Sequence, residues 1–346
     1  MREVLVIGGQ TIQPGTNILI DLPLPPLYTN TPMTMPVHII HGKKDGPRLF
    51  ISAAIHGDEL NGVEIIRRLL KDPALKRLKG TLIAIPMVNV YGIIHHSRYL
   101  PDRRDLNRSF PGSKKGALAS RMADLFMTEI VANSTHGIDL HTGAIHRSNL
   151  PQIRANLDDE ATLFLAKAFN VPVLINANFR DGSLRASAAE WGIPMLLYEA
   201  GEALRFDEIS IRGGVRGILN VMRYLGMIPS RKTRKAISKE PVIARSSNWI
   251  RAPGSGLFRT LKSLGSMAAK NELLGLVSDP VTHLEIEVIS PFRGIIIGRS
   301  EIPLVHEGEA VYNVAKFEDS KQVAAQVENF HEAISPDVDD DELAIV

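Results

Sequence analysis

Two histidines and a glutamate define the chemistry open to this sequence. His56 and Glu59 lie in Ile51-Ser52-Ala53-Ala54-Ile55-His56-Gly57-Asp58-Glu59, where an apolar strand pattern runs into a polar turn. Leu60 to Leu69 then carries helical periodicity. Groups three apart share one face of a helical turn, so the imidazole and the carboxylate can converge on one cation. Such ligands suit zinc, and a catalytic zinc takes three protein ligands and keeps one position for water. The third ligand must come from another strand end. Asp139-Leu140-His141-Thr142-Gly143 offers it, with a histidine closing an apolar run just before a Thr-Gly turn. A His-x-x-Glu on its own is weak evidence of a metal pair. A second strand-end histidine, in a chain with no cysteine, strengthens it.

The composition limits the partners. A chain of 346 residues is longer than one typical domain and predicts a large domain with a smaller one. Hydrophobic content of 44% and charged content of 23% are ordinary for a globular chain. The net charge of +2 predicts neither a nucleic-acid nor a membrane partner. Absence of cysteine excludes disulfides, thiolate metal sites and cysteine nucleophiles. The first residues lack a signal-peptide pattern, no run is long and apolar enough to span a bilayer, and a cytoplasmic protein is expected.

The ligands need elements to hold them. Residues 1–35 carry short strand-like pieces, Val4 to Ile7 and Asn17 to Leu22, and a Pro-rich stretch, and read as a lead-in or edge segment. Strands are expected at Val37 to His41, Arg48 to Ala53 and Thr81 to Val90, the last almost wholly apolar as when both sheet faces are covered. Helices at about 60–71, 117–132, 160–169, 183–191 and 214–225 alternate with strands at 137–140, 171–176 and 193–198. That alternation predicts an α/β domain over 36–230 with a mostly parallel or mixed sheet flanked by helices. In such sheets sites gather at the carboxyl ends of strands, where His56, His141 and Glu199 all fall.

Gly92 to Lys115 is a polar stretch without periodicity, long enough to be functional. Its four arginines, Arg98, Arg103, Arg104 and Arg108, stand among aromatics and turn residues and suggest an anion-binding loop. A solvated basic loop explains the charge equally well. Residues 231–241 are basic and read as a linker. Beyond them, short strands and Gly/Pro turns predict a small all-β module over 242–316. The tail, 317–346, ends acidic and is expected to be partly disordered.

With these residues in view, the chain resembles the succinylglutamate desuccinylase and aspartoacylase family, zinc hydrolases with a carboxypeptidase-like core. His56-Gly57-Asp58-Glu59, Asp105-Leu106-Asn107-Arg108, Asp139-Leu140-His141-Thr142-Gly143 and Glu199 match it in the family's order. The resemblance implies one zinc per chain on His56, Glu59 and His141, with water in the open position. It implies Glu199 as general acid/base, and Asn107 and Arg108 as the pair that binds a substrate carboxylate. Arg98, in Arg98-Tyr99, is similar to the arginine that polarises the scissile carbonyl. The segment from there to Asp105 is two residues longer than in mammalian aspartoacylase, so Arg103 and Arg104 compete for that role. Asp105 and Asp139 look like residues that orient an arginine or a zinc histidine. Glu202 is a rival to Glu199, while His95 and His96 are loop histidines with no partner in the sequence. The β-rich module looks like a lipoyl or biotinyl-type barrel-sandwich, but Pro280 stands at the lysine position, so it should carry no such group. Walling off the site or joining subunits into a homo-oligomer would suit it better.

The chemistry implied is hydrolysis of the amide of an N-acyl amino acid, a small molecule. Zinc lowers the pKa of bound water to about 7, a carboxylate relays its proton to the leaving amine, and an arginine stabilises the oxyanion. A carboxypeptidase releasing a terminal residue, glutamate for instance, uses the same chemistry. A non-catalytic acyl-amino-acid binding protein is the alternative of another class.

Overall fold

A computed structural model describes residues 2–230, 242–244, 246–317 and 320–335. The chain opens with a hairpin, β1 (Leu5–Ile7) and β2 (Gln10–Ile12), then two long strands, β3 (Thr16–Leu24) and β4 (Met33–His41). β5 (Lys44–Ala53), α1 (Asn61–Leu69), β6 (Lys79–Ile85), α2 (Val90–Ile94), α3 (Leu118–Glu129) and β7 (His136–Gly143) follow. Next come β8 (Arg147–Ala155), α4 (Glu160–Phe169), β9 (Val173–Asn176), α5 (Leu184–Glu190), β10 (Met195–Glu202) and α6 (Glu208–Tyr224). The remainder is β11 (Val242–Ala244), β12 (Ser246–Arg251), β13 (Gly256–Thr260), β14 (Met267–Ala268), β15 (Leu273–Ser278), β16 (Glu285–Ile289), β17 (Gly294–Ser300), β18 (Leu304–Val305), β19 (Ala310–Lys316) and α7 (Ser320–Ile334).

β5 explains the layering. Leu49, Ile51 and Ala53 belong to one apolar cluster, with Ile65 and Ile66 of α1, Phe169 of α4 and Ile218 of α6. Phe50, between them, points the other way into a cluster with Phe126 of α3, Ile83 and Ile39. A strand alternates its side chains between faces, so a continuous apolar run lies buried on both.

The central sheet is mixed. Its main path runs β12-β19-β17-β8-β10-β7-β5-β6-β4-β3. β10, β7, β5 and β6 are parallel, whereas β8 lies antiparallel to β10 and β4 antiparallel to β6. The lead-in segment supplies β3 to the edge of this sheet, and it also buries Leu5, Ile7, Ile20 and Leu22. The C-terminal strands do not stand apart, because β17 pairs with β8 and so continues the central sheet. β16, β15, β13 and β18 form a separate antiparallel sheet. Phe258, Val277 and Val288 of that sheet pack against Ile296, Tyr312 and Val314.

Several boundaries differ from the sequence reading. β6 stops at Ile85, before Pro86, and the chain turns so that Val88 and Asn89 donate to the carbonyls of Ala53 and Ala54. α6 begins a full turn and more before Gly214, capped by the Asp207 side chain. Its glycines allow close packing, with Gly217 against the Phe169 ring and Gly214 against Ile65 and Tyr198. β8 has no counterpart in the sequence reading. Pro151 lies inside it and argues locally against a strand. In the structure Pro151 falls between the residues that pair with β17, Arg147 to Asn149, and those that pair with β9, Gln152 to Ala155.

The tail also differs. Residues 320–334 form α7, and Val323 and Val327 are buried against Leu150, Ile295 and Ile297. The linker at 231–241 and the acidic end at 336–346 lie outside the described residues.

Candidate active site

His56 and Glu59 occupy the turn between β5 and α1, which begins with Ala54 in the left-handed region at φ 53°. Gly57 brings that turn hard against α2: a Cβ there would lie 2.1 Å from the Gly92 carbonyl carbon. Asn61 anchors the start of α1, donating to the Ala200 carbonyl and accepting from the Asp207 amide. His141 comes from β7, directly beside Glu199 of β10 in the parallel register.

The three expected ligands converge. His56 Nδ1 lies 2.7 Å from Glu59 Oε1, and His141 Nδ1 lies 2.8 Å from Glu59 Oε2. All three side chains are buried, with their ligand atoms within 4.8 Å of one another. Each imidazole gives its other nitrogen to an aspartate. His56 Nε2 is 3.0 Å from Asp105 Oδ1, and His141 Nε2 is 2.7 Å from Asp139 Oδ2. Ser52 steadies Asp139 by donating to its Oδ1 at 2.7 Å. This arrangement fixes the ring orientation and leaves both Nδ1 atoms facing one point, as a metal-binding histidine pair requires. Two imidazole nitrogens and a carboxylate form a donor set that fits zinc.

The electrostatics are coupled. Burial would push both imidazoles down, but Glu59 and Asp105 raise His56, and Asp139 and Glu59 raise His141 well above the usual value. Burial would likewise raise the Glu59 carboxyl, yet the two imidazoles hold it far below the ordinary carboxylate range.

Arg98 settles into the centre and its two competitors do not. Its guanidinium lies 3.1 Å from both Glu59 Oε1 and Asp105 Oδ2. Arg103 is exposed, and Arg104 pairs with Asp102 at the surface. Asp105 caps a short turn, Leu106–Arg108, accepting from the Asn107 amide. Asn107 in turn accepts from the Leu184 amide at the start of α5. Asn107 and Arg108 line the same cavity as His56, Glu59, His141 and Glu199. His95 and His96 are exposed and absent from its walls. Glu202 is buried and accepts from the His146 amide.

The cavity measures about 600 Å³. Its charge is more cationic than the loop alone suggested, since Arg147, Arg154, Arg180 and Arg185 also line it. Burial, with Arg154 and Arg180 nearby, lowers the Arg185 guanidinium to about 10. Ser246, Trp249 and Asn313 bring the C-terminal strands to the wall, and Arg147 lies over the Trp249 ring at 5.0 Å. Asn149 and Arg154 both engage Glu199, at 2.7 and 2.8 Å. The sequence does not point to these residues, because Pro151 hides β8. The one local signal was the spacing of polar Arg147, Asn149 and Arg154 around apolar Leu150 and Ile153.

Residues 45–225 match the succinylglutamate desuccinylase/aspartoacylase catalytic domain. The N-alpha-acetyl-L-2,4-diaminobutyric acid deacetylase of Halomonas elongata is 25% identical over 300 residues, covering 83% of this chain and 86% of that protein. The product-bound ectoine utilization protein EutE (DoeB) of Ruegeria pomeroyi superposes with a TM-score of 0.78 at 25% identity, covering 88% of this chain and 95% of that one. A succinylglutamate desuccinylase/aspartoacylase of Rhodobacter sphaeroides gives a TM-score of 0.78 at 25% identity, covering 88% and 97%. Among the described residues no helix is long and apolar enough to cross a membrane.

Proposed function

Because the chain belongs to the succinylglutamate desuccinylase/aspartoacylase family, we propose that it hydrolyses the amide of an N-acyl amino acid, using one zinc ion held by His56, Glu59 and His141. The observation that carries the reading is the convergence of these three side chains in one cavity with Glu199, Asn107 and Arg108. Zinc bound there would supply an activated water and positive charge toward the developing oxyanion.

The chain's own residues do the rest. Glu199, beside His141 in the sheet, takes the proton of the attacking water and returns it to the leaving amine. Arg98 adds fixed positive charge where the carbonyl oxygen becomes negative. Arg108, with Asn107, receives the amino-acid carboxylate, for which a planar guanidinium is suited. The wall of arginines favours anionic substrates.

The acyl group is the open variable. The Halomonas relative is named an acetyl-amino-acid deacetylase, which puts N-acetyl amino acids first in a panel with N-succinyl amino acids and short glutamyl peptides. Metal-loaded protein should release free amino acid from one acyl class, and a chelator should abolish the release. Turnover of peptides alone would replace this reading with a carboxypeptidase. Zinc-bound protein that binds but turns over none of the panel would replace it with a binding protein.

A further inference from the structure

Glu199 is bracketed. In the antiparallel pairing of β10 with β8, Glu199 lies opposite Gln152, Leu197 opposite Arg154 and Gly201 opposite Asn149. Arg154 and Asn149 therefore reach Glu199 from its two sides along the strand. Arg154 Nε is 2.8 Å from Oε2, and Asn149 Nδ2 donates to Oε1 at 2.7 Å. Each carboxylate oxygen has its own holder. The bracket is possible because the register shifts between Glu199 and Gly201, at a residue with φ +75° that suits glycine.

The bracket is itself seated from outside the catalytic core. Gly298 of β17 pairs with Asn149 on one side and with Asn313 of β19 on the other. A Cβ at Gly298 would lie 2.8 Å from Asn149 Oδ1. The bare backbone there gives the Asn149 amide room to face Glu199.

We propose that Asn149 and Arg154 are positioning residues that hold the Glu199 carboxylate by one oxygen each, and that β17, through Gly298, sets the Asn149 arm. The proposal rests on Glu199 as the proton carrier and adds what aims it. A glutamate side chain loses rotamer freedom when fixed, and one amide donor, Asn149, with one ion pair, Arg154, supplies that fixing before substrate arrives. The C-terminal strands then act on the chemistry as well as on the cavity wall.

The test uses zinc-loaded full-length Arg154→Gln, Arg154→Lys and Gly298→Ala proteins, assayed on the N-acetyl and N-succinyl amino-acid panel, with a crystal structure of each. In Gly298→Ala the methyl meets the Asn149 amide oxygen at 2.8 Å and the Asn313 Cβ at 3.2 Å, so mainly the Asn149 side chain must move, and the protein should fold and keep zinc. A misplacement near 1 Å costs about 10²-fold in rate. Arg154→Gln and Gly298→Ala should therefore lose kcat on that scale with KM little changed, and Arg154→Lys, which keeps the charge, should recover part of it. The structures should show the Glu199 carboxylate turned away from its wild-type position. A raised KM with unchanged kcat would make Arg154 a substrate ligand and overturn the proposal. So would equal losses in the Lys and Gln variants, or a Glu199 carboxylate that stays in place in both Arg154→Gln and Gly298→Ala. If Glu199→Gln retained wild-type turnover, the proton-carrier reading would fall by itself, and the structures would still decide the bracket.

Discussion

His56 and His141 both turn Nδ1 toward Glu59 and give Nε2 to an aspartate, so the aspartates decide which nitrogen is offered to a metal. Asp139→Ala should weaken zinc binding about 10–100-fold, measured by competition with a chromophoric chelator. Glu199→Gln, by contrast, should keep zinc and lose most turnover. The two effects separate holding the metal from moving the proton. The cluster of His56, Glu59 and His141 was legible in the sequence. His56 and Glu59 are three apart on one turn, and His141 ends an apolar run, so local spacing exposes them. Asn149 and Arg154 were not legible, because what brings them to Glu199 is a register shift in a strand that Pro151 disguises.

Helix α1 follows the ligand turn directly and is tied to α6 by charge. Arg67 and Arg68 both hold Glu64, and Arg68 also pairs with Glu208 of α6. Hydrogen bonds from Arg67, and then from Arg68, lower the Glu64 carboxyl from 4.5 to about 2. A depressed carboxyl contributes stability that is complete above its unfolded pKa and is lost as pH falls through the folded one. Thermal unfolding should therefore show the wild type losing stability from about pH 4.5 toward 2, and Glu64→Gln should flatten that part of the curve. On the other side of the ligand turn, Gly57→Ala would set a methyl against the Gly92 backbone. It should lower the melting temperature and zinc content together, since the turn cannot yield without moving His56. The helices and parallel strands around this turn were legible from periodicity. The early start of α6 was not: the sequence reading begins the helix at Gly214, whereas it starts at Glu208 behind the Asp207 cap.

At the scale of the molecule, a ligand that binds only the folded chain stabilises it by mass action. Zinc at a hundred times its Kd should add about 2.7 kcal/mol, seen as a rise in Tm on loading and a fall on chelation. His141→Ala should show neither change. The sequence predicted an α/β core and a β-rich C-terminal part, and both are present. It did not reveal that β17 bonds to β8, since pairing between strands so far apart in the chain leaves no local mark. Nor did the tail's acidic composition announce α7, whose apolar Val323 and Val327 follow a helical spacing of four. That long-range pairing has a temporal consequence. During synthesis, His56, Glu59, His141 and Glu199 all leave the ribosome before β12, β17 and β19. At roughly 5–20 residues per second, seconds pass in which the nascent chain carries these four residues beneath an unfinished wall. The cluster that could hold a metal is thus made early, and the strand that pairs with Asn149 beside it is among the last to arrive.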